Sequence, residues 1–189
     1  MMRVGILALQ GAFAEHAKML ERLGCEVFLI KQIRDINQPF DALVLPGGES
    51  TVMRKLLHDT GLFEPLRQLI AQGMPTLGTC AGLLLLAKEV EGGEECFALM
   101  DISAKRNAYG RQTASFACEE KIVGVSEKCV PLVFIRAPYI SRAGKGVDVL
   151  CRHDGKIVAA REGNMLAAAF HPELTEDDTV ARWFVTGMP

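Results

Sequence analysis

Gly78-Thr79-Cys80-Ala81-Gly82 sets a thiol between two glycines, where a short apolar run gives way to an Ala- and Leu-rich one. A G-x-C-x-G at a strand-to-helix junction has the layout of a nucleophile elbow. The glycines permit a sharp turn and close packing, and the central side chain projects from the carboxyl end of the strand. At a helix start, the partial positive charge of the free N–H groups favours a thiolate. The plain alternative is a buried structural cysteine beside a glycine-rich turn.

A thiolate nucleophile needs a base, and the chain has four histidines. His16 falls in one helix-like stretch and His58 near the end of another, and either fits a surface position. His153 sits at a predicted hairpin turn. His171 directly follows the apolar run 165–170, in His171-Pro172-Glu173. Proline favours extended backbone at the residue before it. Residues two apart in an extended segment point the same way, so Glu173 can orient the His171 ring. Cys80, His171 and Glu173 then match nucleophile, base and orienter. Without the elbow, His-Pro-Glu reads as an ordinary strand-to-helix turn.

The third element is Leu45-Pro46-Gly47-Gly48-Glu49-Ser50-Thr51, after a strand-like run and before a helix-like one. Paired glycines free backbone N–H groups to face a developing oxyanion. The alternatives are a connection that needs glycine for its backbone, or a phosphate loop, whose known spacings this segment does not match. Thiolate, oxyanion donors and a proton-shuttling histidine together make acyl-transfer chemistry. For a carboxamide the leaving group is ammonia.

Periodicity supplies the elements that position these residues. Strands are predicted over 3–9, 25–30, 42–45 and 74–79, and helices over 12–23, 51–58, 63–72 and 81–89. Strands that alternate with helices imply a mostly parallel sheet covered on both faces, whose strand carboxyl ends form one rim. The second half is richer in strands, predicted over 116–119, 130–135, 147–152, 156–161 and 165–170, with a hairpin turn at Asp154-Gly155. A closing helix is predicted over 176–185, N-capped by Thr175. No linker or repeat divides the 189 residues, so one domain over 1–189 is expected.

Composition narrows the function classes. A formal charge of −2 offers nucleic acid or an anionic membrane no basic surface. No apolar stretch spans a bilayer and the N-terminal run is too short for a signal peptide, so the cytoplasm is expected. The six cysteines are scattered without C-x-x-C, which argues against a disulfide framework. Cys151-x-His153 lacks a second ligand pair, so no metal site is expected.

G-T-C-A-G, L-P-G-G-E-S-T and H-P-E in this order resemble a class I, triad-type glutamine amidotransferase domain. Leu9-Gln10-Gly11-Ala12 with Glu15-His16, the block Arg106 to Gln112, Ile135-Arg136-Ala137-Pro138 and His171-Pro172-Glu173-Leu174 extend the match over nearly the whole chain. The full set is similar to the glutaminase subunits of pyridoxal 5′-phosphate synthases. The resemblance implies a three-layer, flavodoxin-like fold and hydrolysis of L-glutamine through a thioester on Cys80. Its implied oxyanion hole uses the N–H groups of Gly48 and Ala81, and its substrate site Gly47, Gly48, Glu49, Arg106, Ile135 and Arg136. It also implies a separate synthase subunit as partner, met through Gln10, Gly11 and Ala12, and no cofactor. The enzyme classes it implies are hydrolase and lyase. Two departures stand out: Ala98 occupies a position where that family carries glycine, and the chain stops at Pro189. The competing readings are a glutaminase of another pathway and a non-catalytic cysteine sensor on the same fold.

Overall fold

The computed structural model describes residues 1–106 and 115–188; positions 107–112 of the Arg106 block lie outside the described residues. The first half runs β1 (Arg3–Leu7), α1 (Phe13–Arg22), β2 (Glu26–Ile30), β3 (Ala42–Leu45), α2 (Ser50–Asp59), α3 (Phe63–Ala71), β4 (Thr76–Thr79) and α4 (Ala81–Leu86). Then come β5 (Ala87–Glu91), β6 (Met100–Lys105), β7 (Ser115–Glu120), β8 (Val130–Ile135) and β9 (Tyr139–Ala143). The chain closes with β10 (Asp148–His153), β11 (Lys156–Glu162), β12 (Met165–Ala168) and α5 (Thr179–Val185).

The main sheet has the order β2-β1-β3-β4-β12-β11-β9-β6-β5, with β10 paired to β11. Its first five strands are mutually parallel. They follow the 2-1-3-4-5 order of flavodoxin-like sheets, with β12 as the fifth strand. The crossovers through α1 and through α2–α3 move in opposite directions along the sheet. Right-handed connections therefore place them on opposite faces, which makes three layers, as expected. The strands from β12 to β6 pair antiparallel, and β7 and β8 form a separate ribbon. Stacked Phe116 and Phe134, with Phe134 edge-on to Phe170, fix that ribbon close to the end of β12.

The central strands carry Val4, Ile6, Leu43, Val44, Leu45 and Leu77, all fully buried. Helix α1 turns Met19 and Leu20 inward, and α2 turns Met53 and Leu57. At Asp154-Gly155 both residues have positive φ, 47° and 76°, as a tight hairpin of this twist requires.

Several predicted boundaries shift. The helix predicted over 81–89 ends at Leu86, and Ala87 is extended (φ −60°, ψ 138°) because 87–91 pairs with β6. Good helix formers there are overridden by strand pairing. The closing helix begins at Thr179 rather than 176, and Thr175 is not its cap. Pro172–Leu174 forms a 3-10 turn, and the Asp177 carboxylate accepts the Thr179 N–H at 2.9 Å. Strands β5, β6 and β9 had no counterpart among the predicted elements.

Ala98 has φ 52°, in the left-handed region that glycine adopts freely and alanine does not. The flanking residues hold it there, since the Phe97 and Leu99 N–H groups donate to the carbonyls of Leu85 and Leu86. Relieving this strain is expected to stabilise the fold by about 1 kcal/mol. Ala98→Gly should raise Tm by roughly 2–4 °C in a thermal melt, with activity unchanged.

Candidate active site

Three neighbouring strand ends build the site. Ala168 of β12 stands in register with Thr79 of β4, and Leu45 of β3 with Gly78. The Cys80 N–H donates to the Ala168 carbonyl at 2.8 Å, which carries the pairing one residue past β4. The glycine loop, the thiol and His171 therefore leave adjacent carboxyl ends on one rim.

Cys80 has φ 51° and ψ −102°, the strained conformation of a nucleophile elbow. The turn is possible because α4 lies directly on β3. A Cβ at Gly82 would collide with the Leu45 carbonyl. Cys80 is 8% exposed, and its Sγ lies 4.0 Å from the Ile135 carbonyl.

His171 and Glu173 are 6% and 7% exposed, and His171 Nδ1 lies 2.6 Å from Glu173 Oε1. His171 itself is extended (φ −111°, ψ 87°), but Glu173 reaches back from the 3-10 turn rather than along an extended strand. Proline suits the first position of that turn because it has no N–H to leave unpaired. Burial disfavours the imidazolium, yet hydrogen bonds with Cys80 and Glu173, and their negative charges, outweigh it. His171 is raised to about 10. Burial would likewise raise the Glu173 carboxyl; His16 and the hydrogen bond and charge of His171 reverse this and hold it below the ordinary range. The proton of an attacking thiol thus has a strong acceptor.

Gly47 packs against this pair. A Cβ there would lie 2.5 Å from His171 Cε1 and 3.4 Å from Cys80 Cβ. The loop is braced from α1: the Ala12 N–H donates to the Gly47 carbonyl at 2.9 Å, and Gln10 Oε1 accepts the Glu49 N–H at 2.7 Å. Gly11 is exposed between them. Glu49 caps α2 through the Thr51 N–H, and its Oε1 also receives Arg106 Nη2 at 2.9 Å. Gly47 and the Ile135 carbonyl at the end of β8 thus lie against Cys80, while Gly48 and Glu49 follow along the loop and Arg106 joins it through Glu49. Arg136 is exposed at the rim with φ 42°. As the first residue of α4, Ala81 has an N–H without an intrahelical acceptor.

Two residues escaped the sequence reading. His16 is fully buried, not at the surface, with Nε2 3.0 Å from Thr79 Oγ1 and 3.4 Å from Glu173 Oε2. The signal was its place between Phe13 and Leu20 on the apolar face of α1. Thr79, just before the nucleophile, is also fully buried. His58 is exposed and stacks on Phe63. His153 does not stand alone at its turn: ligand-type atoms of Cys118, Glu120 and His153 lie within 4.8 Å of one another. Cys118 and Glu120 come from β7, a contact that spacing along one strand does not reveal. Cys151 Sγ instead lies 3.9 Å from the Arg152 carbonyl. Burial pushes the Cys25 thiol up, Cys96 and Cys151 to about 12, and Cys118 to about 11, so these thiols are poor nucleophiles.

A thiol at an elbow, a basic imidazole behind it and a carboxylate behind that form an acyl-transfer site. The chain belongs to the SNO glutamine amidotransferase family, whose profile matches residues 6–188. It is 56% identical, over 97% of its length and 96% of the relative's, to a protein of Methanocorpusculum labreanum named pyridoxal 5′-phosphate synthase subunit PdxT. A Haemophilus influenzae protein of the same name is 50% identical, with 97% of each chain covered. A crystal structure described as a glutamine amidotransferase superposes with a TM-score of 0.91 at 40% identity, covering 97% of both chains. The expected lyase class does not fit an amidotransferase, which cleaves a C–N bond by acyl transfer rather than elimination.

Two outcomes follow from this geometry. Gly47→Ala should displace the His171 ring and lower kcat on the order of 100-fold, with the fold intact by circular dichroism. Glu173→Gln should cost on the order of 1000-fold in kcat. It also removes a group that raises His171, so the basic limb of the pH–rate profile should move down by about a unit or more.

Proposed function

We propose that this chain is the glutaminase half of a two-subunit pyridoxal 5′-phosphate synthase. It hydrolyses L-glutamine to L-glutamate and ammonia and passes the ammonia to a synthase subunit. Full-length similarity to proteins named as subunits of that synthase carries the reading. The buried His171–Glu173 pair beside Cys80 supplies the chemistry.

In the first step Cys80 Sγ, its proton already held on His171, attacks the side-chain amide carbon of glutamine. The N–H groups of Gly48 and Ala81 receive the oxyanion. His171 then gives its proton to the departing nitrogen, ammonia leaves, and a γ-glutamyl thioester remains on Cys80. Water attacks this thioester while His171 accepts its proton, and glutamate departs as Sγ takes back the electron pair. Glu173 stays ionised and holds the ring orientation throughout. Side chains, backbone and water complete the cycle.

Glu49 is suited to the substrate ammonium, and Arg106 or Arg136 to its carboxylate. In the free site Glu49 and Arg106 neutralise one another, so substrate can divide the pair without leaving either charge unmatched. Gln10, Gly11 and Ala12 lie at the mouth of the site, where a partner pressing on them would act on the glycine loop they brace. The whole of 1–189 serves as one glutaminase domain, with no role for nucleic acid or membrane. Among the described residues no helix is long and apolar enough to cross a bilayer, which agrees with a cytoplasmic setting.

Ammonia release from glutamine, measured with and without a pyridoxal 5′-phosphate synthase subunit, tests the proposal. Release should be weak alone, rise at least about tenfold with the partner, and vanish in Cys80→Ala. An unchanged rate in the assembled complex would contradict the coupling. Release that survives Cys80→Ala would contradict the mechanism.

A further inference from the structure

His16 is the buried polar group that the mechanism above leaves unused. It is 0% exposed, although nothing in acyl transfer requires a second histidine in the core. Its Nε2 stands between two parts of the machinery: Thr79 Oγ1 at 3.0 Å, one residue before the nucleophile, and Glu173 Oε2 at 3.4 Å. Glu173 Oε1 is taken by His171, whereas Oε2 is buried with no hydrogen bond of ordinary geometry from any described residue. A carboxylate oxygen out of water costs several kcal/mol unless a donor faces it.

The ring's own protonation follows from its surroundings. The groups facing it are Glu173 and His171 from the turn after β12, Thr79 from β4 and Glu15 from its own helix. Burial is the dominant influence and lowers His16 below its ordinary value, against the pull of Glu173 and Glu15. A neutral imidazole has one N–H to place. Nδ1 has no partner among the described residues, while Nε2 faces a hydroxyl and a carboxylate oxygen. A buried bare nitrogen costs less than a buried orphan N–H, so the proton sits on Nε2.

We propose that His16 is a positioning residue for the glutaminase reaction. It hydrogen-bonds through Nε2 to Thr79, holds that N–H edge against the rear oxygen of Glu173 at 3.4 Å, and so ties the nucleophile's strand to the orienter of the base. The functional line becomes Cys80, His171, Glu173, His16, with the last member supplied by α1. The turn that leads into that helix braces the glycine loop through Gln10 and Ala12. The turn and helix after β1 therefore contact both the oxyanion side and the proton-relay side of the thiol.

The inference rests on the triad proposed above, and its test separates the two. Steady-state glutaminase kinetics across pH are measured on the complex with the synthase subunit for wild type, Cys80→Ala, His16→Leu, His16→Gln and Thr79→Val. Residual activity in Cys80→Ala would sink the triad itself. With a Cys80-dependent wild type, His16→Leu should lose about 10–100-fold in kcat, with KM for glutamine within about twofold. Without a donor, the buried carboxylate is harder to ionise. Glu173 then rises, and the acidic limb should move up by about a unit. His16→Gln restores an N–H donor and should recover most of kcat and return the limb toward wild type. Thr79→Val leaves the imidazole in place and directs its N–H wholly to Glu173; its readout is the acidic limb, which should move down or stay. That variant also decides the matter should His16→Leu fail to fold. Equal losses in His16→Leu and His16→Gln with an unmoved acidic limb would reduce His16 to packing. An upward limb in Thr79→Val would make the hydroxyl the donor instead. Either result overturns the proposal.

Discussion

Glu173 is a carboxylate whose side chain is removed from water, and everything around the thiol is arranged so that it can remain charged there. The 2.6 Å contact with His171 Nδ1 is half of the answer. With the hydrogen bond to Cys80, it makes the imidazole a far stronger base than a free histidine, and a strong base behind Cys80 is what acyl transfer to sulfur requires. The other half comes from His16, a neutral donor rather than a second cation. Two charged histidines around one buried carboxylate would repel each other and leave a net buried charge. One charged and one neutral ring face the two carboxylate oxygens without that cost.

Such a line has to be assembled from distant pieces of chain, and the parallel half of the main sheet does this. β3, β4 and β12 are adjacent and in register, so the glycine loop, Cys80 and His171 emerge side by side. In the β1–β2 crossover, helix α1 brings His16 in from behind, and the turn before it brings Gln10 and Ala12 in from the side. The ribbon of β7 and β8 closes the remaining side, with the Val133 carbonyl accepting the His171 N–H at 2.8 Å. Strain at Cys80, and close approaches at Gly47 and Gly82, are where the sheet's geometry is transmitted to the reacting atoms.

What was legible beforehand follows from which contacts are local. Cys80 showed itself through its flanking glycines, and His171 with Glu173 through a spacing of two. Each is a short-range pattern with a mechanical reason. His16 meets Thr79 and Glu173 across 63 and 157 positions, and only the apolar face of α1 hinted that it turned inward. Likewise β5 was hidden because Ala, Lys and Glu suit a helix until β6 offers a pairing edge. β9 follows Pro138 with too short a run for its alternation to register. Cys118, Glu120 and His153 met through sheet packing that spacing along the chain does not encode. The parallel core was readable from the alternation of strand and helix, whereas the flavodoxin-like fold came from the family resemblance alone.

The site is held together electrostatically: within one buried line, His171 is doubly protonated and His16 is not. With only four histidines in the chain, long-range proton–nitrogen NMR spectra of histidine-labelled protein, followed across pH, read both rings directly. His171 should keep protons on both nitrogens until the pH approaches about 10. His16 should keep a single proton, on Nε2, from alkaline pH down past the ordinary histidine range. A His171 ring that loses its proton near 6.5, like a free histidine, or a His16 ring that carries two protons at neutral pH, would contradict this arrangement.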